Sequence, residues 1–399
     1  MPTPNAAEPK PVIVTGQQIG AGWTPALSVA KALAALAEAK RRGADAVYWM
    51  ADEDHDRTEV AATVGFENGR MVRHRFRFDA PDGTATGWLP WGPSQQREAE
   101  TLWHEVPISA ERTLRGHALS LGEPLWKLGL RPFSPTDPVV RDPIQSELER
   151  WRSLDLETQL LLSAERLETE GAPLPLDPRQ QAAWFSLAPR TGLRRRLERN
   201  EACPKDHWLS PGAALRPLMQ SLMLPVEAAV LGPSERAYWR LTEPLWERVG
   251  LNAPRIIARP SVFVLPKGCS LKAERLADLD ALRDGRWQAF SSPNDTLPSH
   301  RVGDVLPDSS WGPTLGTRFT KELDRTRHRL ERLDRRWIRD LAAHQFNMDP
   351  ERLRQRLFPF GKAQERVLPG LFWLREETLI HSILESMDGN RSLILVEEP

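Results

Sequence analysis

Pro11-Val12-Ile13-Val14-Thr15-Gly16-Gln17-Gln18 and, further on, Val47-Tyr48-Trp49-Met50-Ala51-Asp52-Glu53-Asp54-His55-Asp56 decide how this chain is read. Pro11 to Val14 reads as a buried strand, Pro25 to Arg42 as an amphipathic helix, and Val47 to Ala51 as a second strand. A strand–helix–strand unit of this length favours a parallel pair joined by a right-handed crossover. Both polar segments then lie at the carboxyl ends of neighbouring strands, where open α/β sheets bind their ligands. That placement points to an α/β enzyme.

The same alternation continues downstream. Val226 to Leu231 reads as a buried strand, Gly232-Pro233-Ser234 as a turn capping a helix through about Val249, and Arg255 to Ala258 and Val262 to Leu265 as further strands. Arg70 to Phe78 alternates as a half-exposed strand does. Helices are expected over Ser94–Leu121 with Ser94 as N-cap, over Pro143–Glu170, over Gln180–Glu198 and over Leu215–Met223. Residues 171–178 read as a linker, and 268–315 as loop-rich. From Thr317 the chain is densely charged up to Pro350, and Leu323, Thr326, Leu330, Leu333 and Trp337 form a seam of 3–4 spacing, as in a helical hairpin, a short coiled coil or a plain amphipathic helix packed on the core. Val367–Glu385 reads as a helix and Leu393–Val396 as a terminal strand.

Composition narrows the function classes. The 54 basic and 54 acidic side chains among 399 residues cancel, so no global field draws the chain to nucleic acid or to an anionic membrane. Arg194-Arg195-Arg196 reads as solvated helix surface. There is no long apolar run to span a bilayer, and Met1 to Lys10 lacks the form of a secretory signal. Cys203 and Cys269 are too few for a disulfide framework, so a cytoplasmic protein with reduced thiols is expected.

Two loops carry the expected chemistry. Thr15, Gly16, Gln17 and Gln18 offer a hydroxyl, backbone N–H groups and carboxamides that can hold a phosphate or carboxylate, or else form a polar turn. The glycine spacing fits neither the dinucleotide fingerprint nor a P-loop. In the second loop, Asp52, Asp54 and His55 can supply a general base, a magnesium-holding carboxylate or an orienting carboxylate behind His55, or form an acidic surface turn. A transition-metal site is disfavoured, because no second His or Cys lies near His55. Arg216 and Arg259 each precede a proline that keeps them extended, and a bidentate arginine suits a carboxylate or phosphate as well as a plain salt bridge.

Five blocks in order resemble the cysteine-adding enzyme family of bacillithiol biosynthesis, BshC. They are Val14 to Gln18 with Pro25 and Lys31; Trp49 to Asp56 with Glu59; Leu209-Ser210-Pro211 with Leu215-Arg216-Pro217 and Gln220; Leu231-Gly232-Pro233 with Glu235, Tyr238, Trp239 and Arg259-Pro260; and Leu357-Phe358-Pro359 with Gln364 to Val367. The resemblance implies a Rossmann-like core over 1–315 with inserted helical segments near 143–208. It also implies a coiled-coil-like arm over 316–356, short for the family, and a C-terminal helix and strand over 357–399 returning to the core. The implied reaction joins L-cysteine to the amine of glucosaminyl-malate with ATP as the expected energy source. A need for Mg2+ and an arm-mediated homodimer are both left open. His55, oriented by Asp54 or Asp52, is the expected proton acceptor. Thr15 to Gln18, Ser210, Gln220, Gly232, Glu235 and Tyr238 line the expected site, with Arg216 and Arg259 on malate or phosphate charge. The alternatives are a nucleotidyl transferase or adenylate-forming enzyme acting on another amine, and a non-catalytic nucleotide-binding relative. Trp23-Thr24 precedes Pro25 where the family is expected to have Gly-Gly, a change that could alter the first loop's ligand contact.

Overall fold

The computed structural model describes residues 9–273, 279–290, 312–387 and 391–399. Most of the polar N-terminal segment and part of the loop-rich stretch 268–315 lie outside them. Strand β1 (Val12–Gln17) leads to helix α1 (Leu27–Arg42) and strand β2 (Asp45–Met50). Ala-rich α1 stops at Gly43, whose φ of 65° closes the last turn, and Lys40, Arg41 and Arg42 sit on the negative end of its dipole. An antiparallel hairpin follows, β3 (Ala62–Glu67) and β4 (Arg70–Arg75), and then β5 (Leu130–Phe133). Strands β6 (Trp184–Leu187), β7 (Arg194–Arg196) and β8 (Trp208–Pro211) form a small antiparallel sheet. Helix α2 (Arg216–Met223), strand β9 (Val226–Leu231), helix α3 (Pro233–Trp239) and strand β10 (Arg255–Ala258) complete the core.

The central sheet runs β10-β9-β1-β2-β5, and every neighbouring pair is parallel, so the expected α/β parallel-sheet class is the observed one. Val12, Val14, Val47, Trp49 and Ala51 turn to one face and pack with Leu215, Leu218, Met219, Trp239 and Trp151. The alternate residues Ile13, Ala46 and Tyr48 turn to the other face, which α1 covers. Trp23 belongs to that second face: it stacks on Tyr48 at 4.9 Å and its indole N–H donates to the Ala118 carbonyl at 2.8 Å.

Several expected helices are broken for identifiable reasons. Gln180–Glu198 is the hairpin of β6 and β7, because aromatic Trp184 and Phe185 favour a strand and Gly192, at φ 69°, makes the turn. Ser94–Leu121 is two helices, Pro93–Trp103 and Leu114–Leu121, parted at His104 (φ 63°). Gly92, whose N–H donates to Gln95 Oε1 at 3.0 Å, caps the first in place of Ser94. Asp155, at φ 50°, divides Pro143–Glu170 into Gln145–Ser153 and Leu156–Thr169. Past Gly232, the helix stops at Trp239 and resumes over Leu245–Val249, and Val367–Glu385 is likewise the two helices Leu371–Leu374 and Glu377–Glu385.

The chain divides into two compact units, Met1–Val262 with Glu365–Ile394, and Phe263–Gln364 with Leu395–Pro399. The first holds the central sheet. The second holds a single 34-residue helix, α4 (Pro313–Phe346). Its buried positions are Asp334, Ile338, Ala342 and Phe346, while Leu333 and Trp337 of the expected seam are exposed. Strands β11 (Ser261–Leu265) and β12 (Leu393–Glu397) form a two-stranded sheet. No helix among the described residues is long and apolar enough to cross a membrane.

Gly16 is required by the spacing of β1 and β2. A Cβ there would stand 2.5 Å from the Trp49 carbonyl oxygen and 2.8 Å from Trp49 Cβ. Backbone cannot yield as a flexible side chain can, so Gly16→Ala is expected to destabilise the chain by about 1–3 kcal/mol, as overpacking does. Urea unfolding measures it, and an unchanged midpoint would contradict the close approach.

Candidate active site

A cleft of about 240 Å³ opens at the carboxyl ends of β1, β2 and β9. Its lining includes Gly16, Gln17 and Gln18 from the first loop, Asp54 and Glu59 from the second, Arg216 and Gln220 from α2, and Glu235 and Tyr238 from α3. The expected convergence of both loops therefore occurs. Three carboxylates, Asp54, Glu59 and Glu235, face one guanidinium, Arg216, across it.

Each loop is held by bonds that the residue types explain. The Thr15 hydroxyl donates to the Val230 carbonyl at 2.9 Å, tying β1 to β9, so that proton is engaged in structure. Lys31, on α1, is fully buried. Its ammonium donates to the Gly16 carbonyl, to Gln17 Oε1 at 3.2 Å and to Glu235 Oε1 at 2.6 Å. Burial pulls its pKa down, while Glu235 opposes the shift. Glu235 Oε2 accepts the Gly232 N–H at 2.7 Å, so Gly232 is the N-cap of α3 and Glu235 its third-position partner, in place of the expected Ser234 cap. The Gln18 side-chain oxygen is buried without a partner.

The acidic loop splits its carboxylates among three surroundings. Asp52 is wholly buried, and its Oδ2 accepts from Ser134 Oγ at 2.6 Å and Thr136 Oγ1 at 3.1 Å. It therefore does not orient His55, contrary to the sequence expectation. Ser134 and Thr136 border another cavity, of about 550 Å³, which Met50, Arg115 and Trp88 also line; Met50 and Pro132 place it on the opposite face of the sheet from Trp49. Glu53, equally buried, pairs with Arg141 at 3.0 Å and accepts from Ser210 Oγ at 2.9 Å. Ser210 is thus a support for Glu53 and lies outside the cleft lining.

Asp54 faces the cleft. Its Oδ2 accepts from Arg216 Nη2 at 2.6 Å and its Oδ1 from the His55 backbone N–H at 2.7 Å. Burial alone would raise its pKa, but Arg216 and Arg194 outweigh that and hold the carboxyl well below the usual range. Glu59 sits exposed at the rim, and partial desolvation together with Asp56 and Asp54 raises its pKa. Burial pushes the Tyr238 phenol up, with Glu235 adding to it.

His55 Nδ1 lies 3.2 Å from Arg194 Nη1. A guanidinium has only donors, so Nδ1 is the acceptor and the lone pair expected to take a substrate proton is engaged. Burial lowers the His55 pKa, and Arg194 lowers it further. Arg259 is likewise taken: its Nη1 and Nη2 reach Glu365 at 3.0 and 2.9 Å, both inside the first unit. It is absent from the cleft lining, so its expected hold on malate or phosphate charge is replaced by a buried ion pair.

Sequence reading assigned Lys31 and Glu59 no role and took Arg194 for surface. A lone Lys amid the alanines and leucines of a buried helix face was the available signal for the first. For Arg194 no local signal was available: alternation along a strand would group it with Arg196, which is exposed, and its burial comes from Ser210, Pro211 and Phe185, which the fold brings to it.

Burial pushes the Asp52 carboxyl up to about 7, against the Ser134 hydroxyl and Arg115. An acid with a raised folded pKa binds its proton more tightly when folded, so it weakens folding as pH rises from its ordinary 3.8 to about 7. Asp52→Asn removes that dependence. Urea unfolding is expected to show the variant gaining on the native chain by up to ~1.4 kcal/mol per pH unit, levelling above about pH 7. A pH-independent difference would contradict a buried, proton-holding Asp52.

The chain was compared with known proteins. The family model described as "Bacillithiol biosynthesis BshC, N-terminal Rossmann-like domain" matches residues 193–260, which include Arg194, Ser210, Arg216, Glu235 and Arg259. A curated relative from Thermus thermophilus, named "Putative cysteine ligase BshC", is 29% identical over 429 aligned residues, covering 96% of this chain and 88% of that one. Relatives with the same name from Solibacter usitatus and Heliobacterium modesticaldum are 25% and 23% identical, covering 94% and 95% of this chain and 81% and 82% of theirs. The ordered blocks of the sequence, the parallel sheet that brings them together and these end-to-end likenesses agree: over nearly its whole length the chain is similar to proteins named as BshC cysteine ligases.

Proposed function

We propose that this chain is a cysteine ligase of bacillithiol biosynthesis that joins the carboxyl of L-cysteine to the amine of glucosaminyl-malate. Its relatives' name supports the ligase reading. The observation that carries it to this site is the cleft at the strand ends, where three carboxylates face one guanidinium. An ammonium-bearing substrate is drawn to such a set, and must lose a proton there before its nitrogen can attack an acyl carbon.

Glu59 is the proposed acceptor of that proton. It lines the cleft, and desolvation, followed by the charges of Asp56 and Asp54, raises its affinity for a proton. Asp54 is a poorer base, because Arg216 holds its carboxylate ionised. Arg216 and Gln220 line the cleft and are the proposed contacts of a malate carboxylate, Arg216 through the N–H groups that Asp54 leaves unused, and Lys31 keeps Glu235 and the first loop in place.

ATP is the proposed energy source; it would convert the cysteine carboxylate into an acyl group with a good leaving oxygen. The cleft's own residues do not fit a bare triphosphate. Arg216 is engaged by Asp54 and Lys31 by Glu235, leaving a surplus of negative charge. The nucleotide's seat is therefore not assigned to these residues, and Mg2+ would have to arrive with the phosphates.

Purified chain given ATP, Mg2+, L-cysteine and glucosaminyl-malate is expected to form bacillithiol, read by thiol labelling and mass spectrometry. No product under any metal condition would remove the ligase reading. Glu59→Gln is expected to lower kcat by about 10²–10⁴-fold, the usual contribution of a general base, with little change in KM for the amine. Near-native turnover would remove Glu59 from that role while leaving the ligase reading intact.

A further inference from the structure

We infer that His55 serves as a hydrogen-bond donor through Nε2 to an anionic oxygen of the substrate, and that Arg194 is the positioning residue that locks it in this tautomer. The inference deepens the proposed function, since it concerns the same acidic loop, but its first test does not depend on turnover.

Arg194 cannot readily retreat from His55. It is buried, its Nε donates to Ser210 Oγ at 3.2 Å and its Nη2 to the Pro211 carbonyl at 2.8 Å. Its guanidinium carbon lies 3.8 Å from the centre of the Phe185 ring. Ser210 in turn donates to buried Glu53. Of its remaining N–H groups, one on Nη1 is directed at His55 Nδ1, 3.2 Å away, nearer than Asp54 Oδ1 at 3.8 Å from the same nitrogen.

With Nδ1 accepting, the neutral ring carries its proton on Nε2. Protonating the ring would set an Nδ1–H against the guanidinium N–H, two donors with no acceptor between them. The other charged groups around the ring do not reverse this. Asp54 Oδ1, 3.8 Å from Nδ1, already accepts the His55 backbone N–H, and Oδ2 is held by Arg216. Asp56 caps the following helix by accepting from the N–H groups of Thr58 and Glu59. Arg216 adds positive charge. Phe185, 5.3 Å from the imidazole centre, contributes an apolar wall.

Nε2 is left without a hydrogen-bond partner among the described residues, and the side chain is 36% exposed. His55 is outside the cleft lining itself but adjoins Asp54, which is part of it, so a fixed N–H donor there is suited to a substrate oxygen at the cleft's edge on which negative charge develops in the proposed reaction. It cannot take a proton through the same atom. This assigns proton uptake and charge stabilisation to different residues, Glu59 and His55.

The test is a long-range 1H–15N spectrum of chain labelled with 15N-histidine, the His55 signals being identified by their loss in His55→Gln. The expected result at pH 7 is a protonated Nε2 and an unprotonated Nδ1, holding from pH 6 to 8. In Arg194→Lys and Arg194→Gln the tautomers are expected to mix and the His55 pKa to rise. If neither variant folds, the native spectrum alone still decides. In the ligase assay, His55→Gln, which puts an amide N–H near the place of Nε2–H, is expected to stay within about tenfold of native kcat, and His55→Ala to lose about 10²–10³-fold, the scale of a lost oxyanion donor. An Nδ1–H tautomer, a His55 titration near pH 7 that the rate follows, or His55→Gln as impaired as His55→Ala would overturn the inference. The expected tautomer in a chain that makes no bacillithiol would instead remove the proposed function and the donor's substrate with it, leaving the Arg194 lock standing.

Discussion

The buried carboxylate of Glu53 is the interaction on which the rest of this site depends. A wholly buried ion is tolerated only with a partner and further hydrogen bonds, and Glu53 recruits Arg141 and Ser210 for the purpose. Those partners belong to a short helix after β5 and to β8, so satisfying one side chain at the exit of β2 fixes two distant segments against it. Ser210 hands the constraint on to Arg194, and Arg194 to His55. The outward part of the loop is thereby tied to the core by a chain of hydrogen bonds even though His55 itself reaches the surface.

The acidic run lies past the end of β2, where strand alternation no longer applies; alternation would put Asp52 and Asp54 on one side, but the loop sends each acid to different surroundings. Asp52 goes to the hydroxyls of Ser134 and Thr136, Glu53 into the core, and Asp54 to the cleft. One is poised near neutrality by burial, while another is kept ionised by two arginines. Three similar side chains acquire three different chemistries from their surroundings alone.

Much of the core was legible because apolar runs and their polar exits are local signals. Val12–Val14, the helix ending at Gly43, Val47–Met50 and Val226–Leu231 all lie where periodicity places them. The misread segments share a cause. Over Gln180–Glu198 the charged residues suggest a helix surface, but pairing with β8 supplies Trp184 and Phe185 with partners that a helix would not have. The seam of α4 shifts in its C-terminal half from Leu333 and Trp337 to Asp334 and Ile338, since which face is buried depends on what the helix packs against.

The sequence by itself determined the parallel strand–helix–strand unit, the two polar loops at its strand ends and the family they resemble. These follow from the order and spacing of residue types along the chain. Only the tertiary structure decided which of those side chains remain available. Arg259 is taken by Glu365, the His55 lone pair by Arg194 and the Thr15 hydroxyl proton by Val230, all through partners at least 100 residues away in the chain. A hydrogen bond needs atoms within about 3 Å, and nothing in the local sequence records which distant donor or acceptor the fold will bring there.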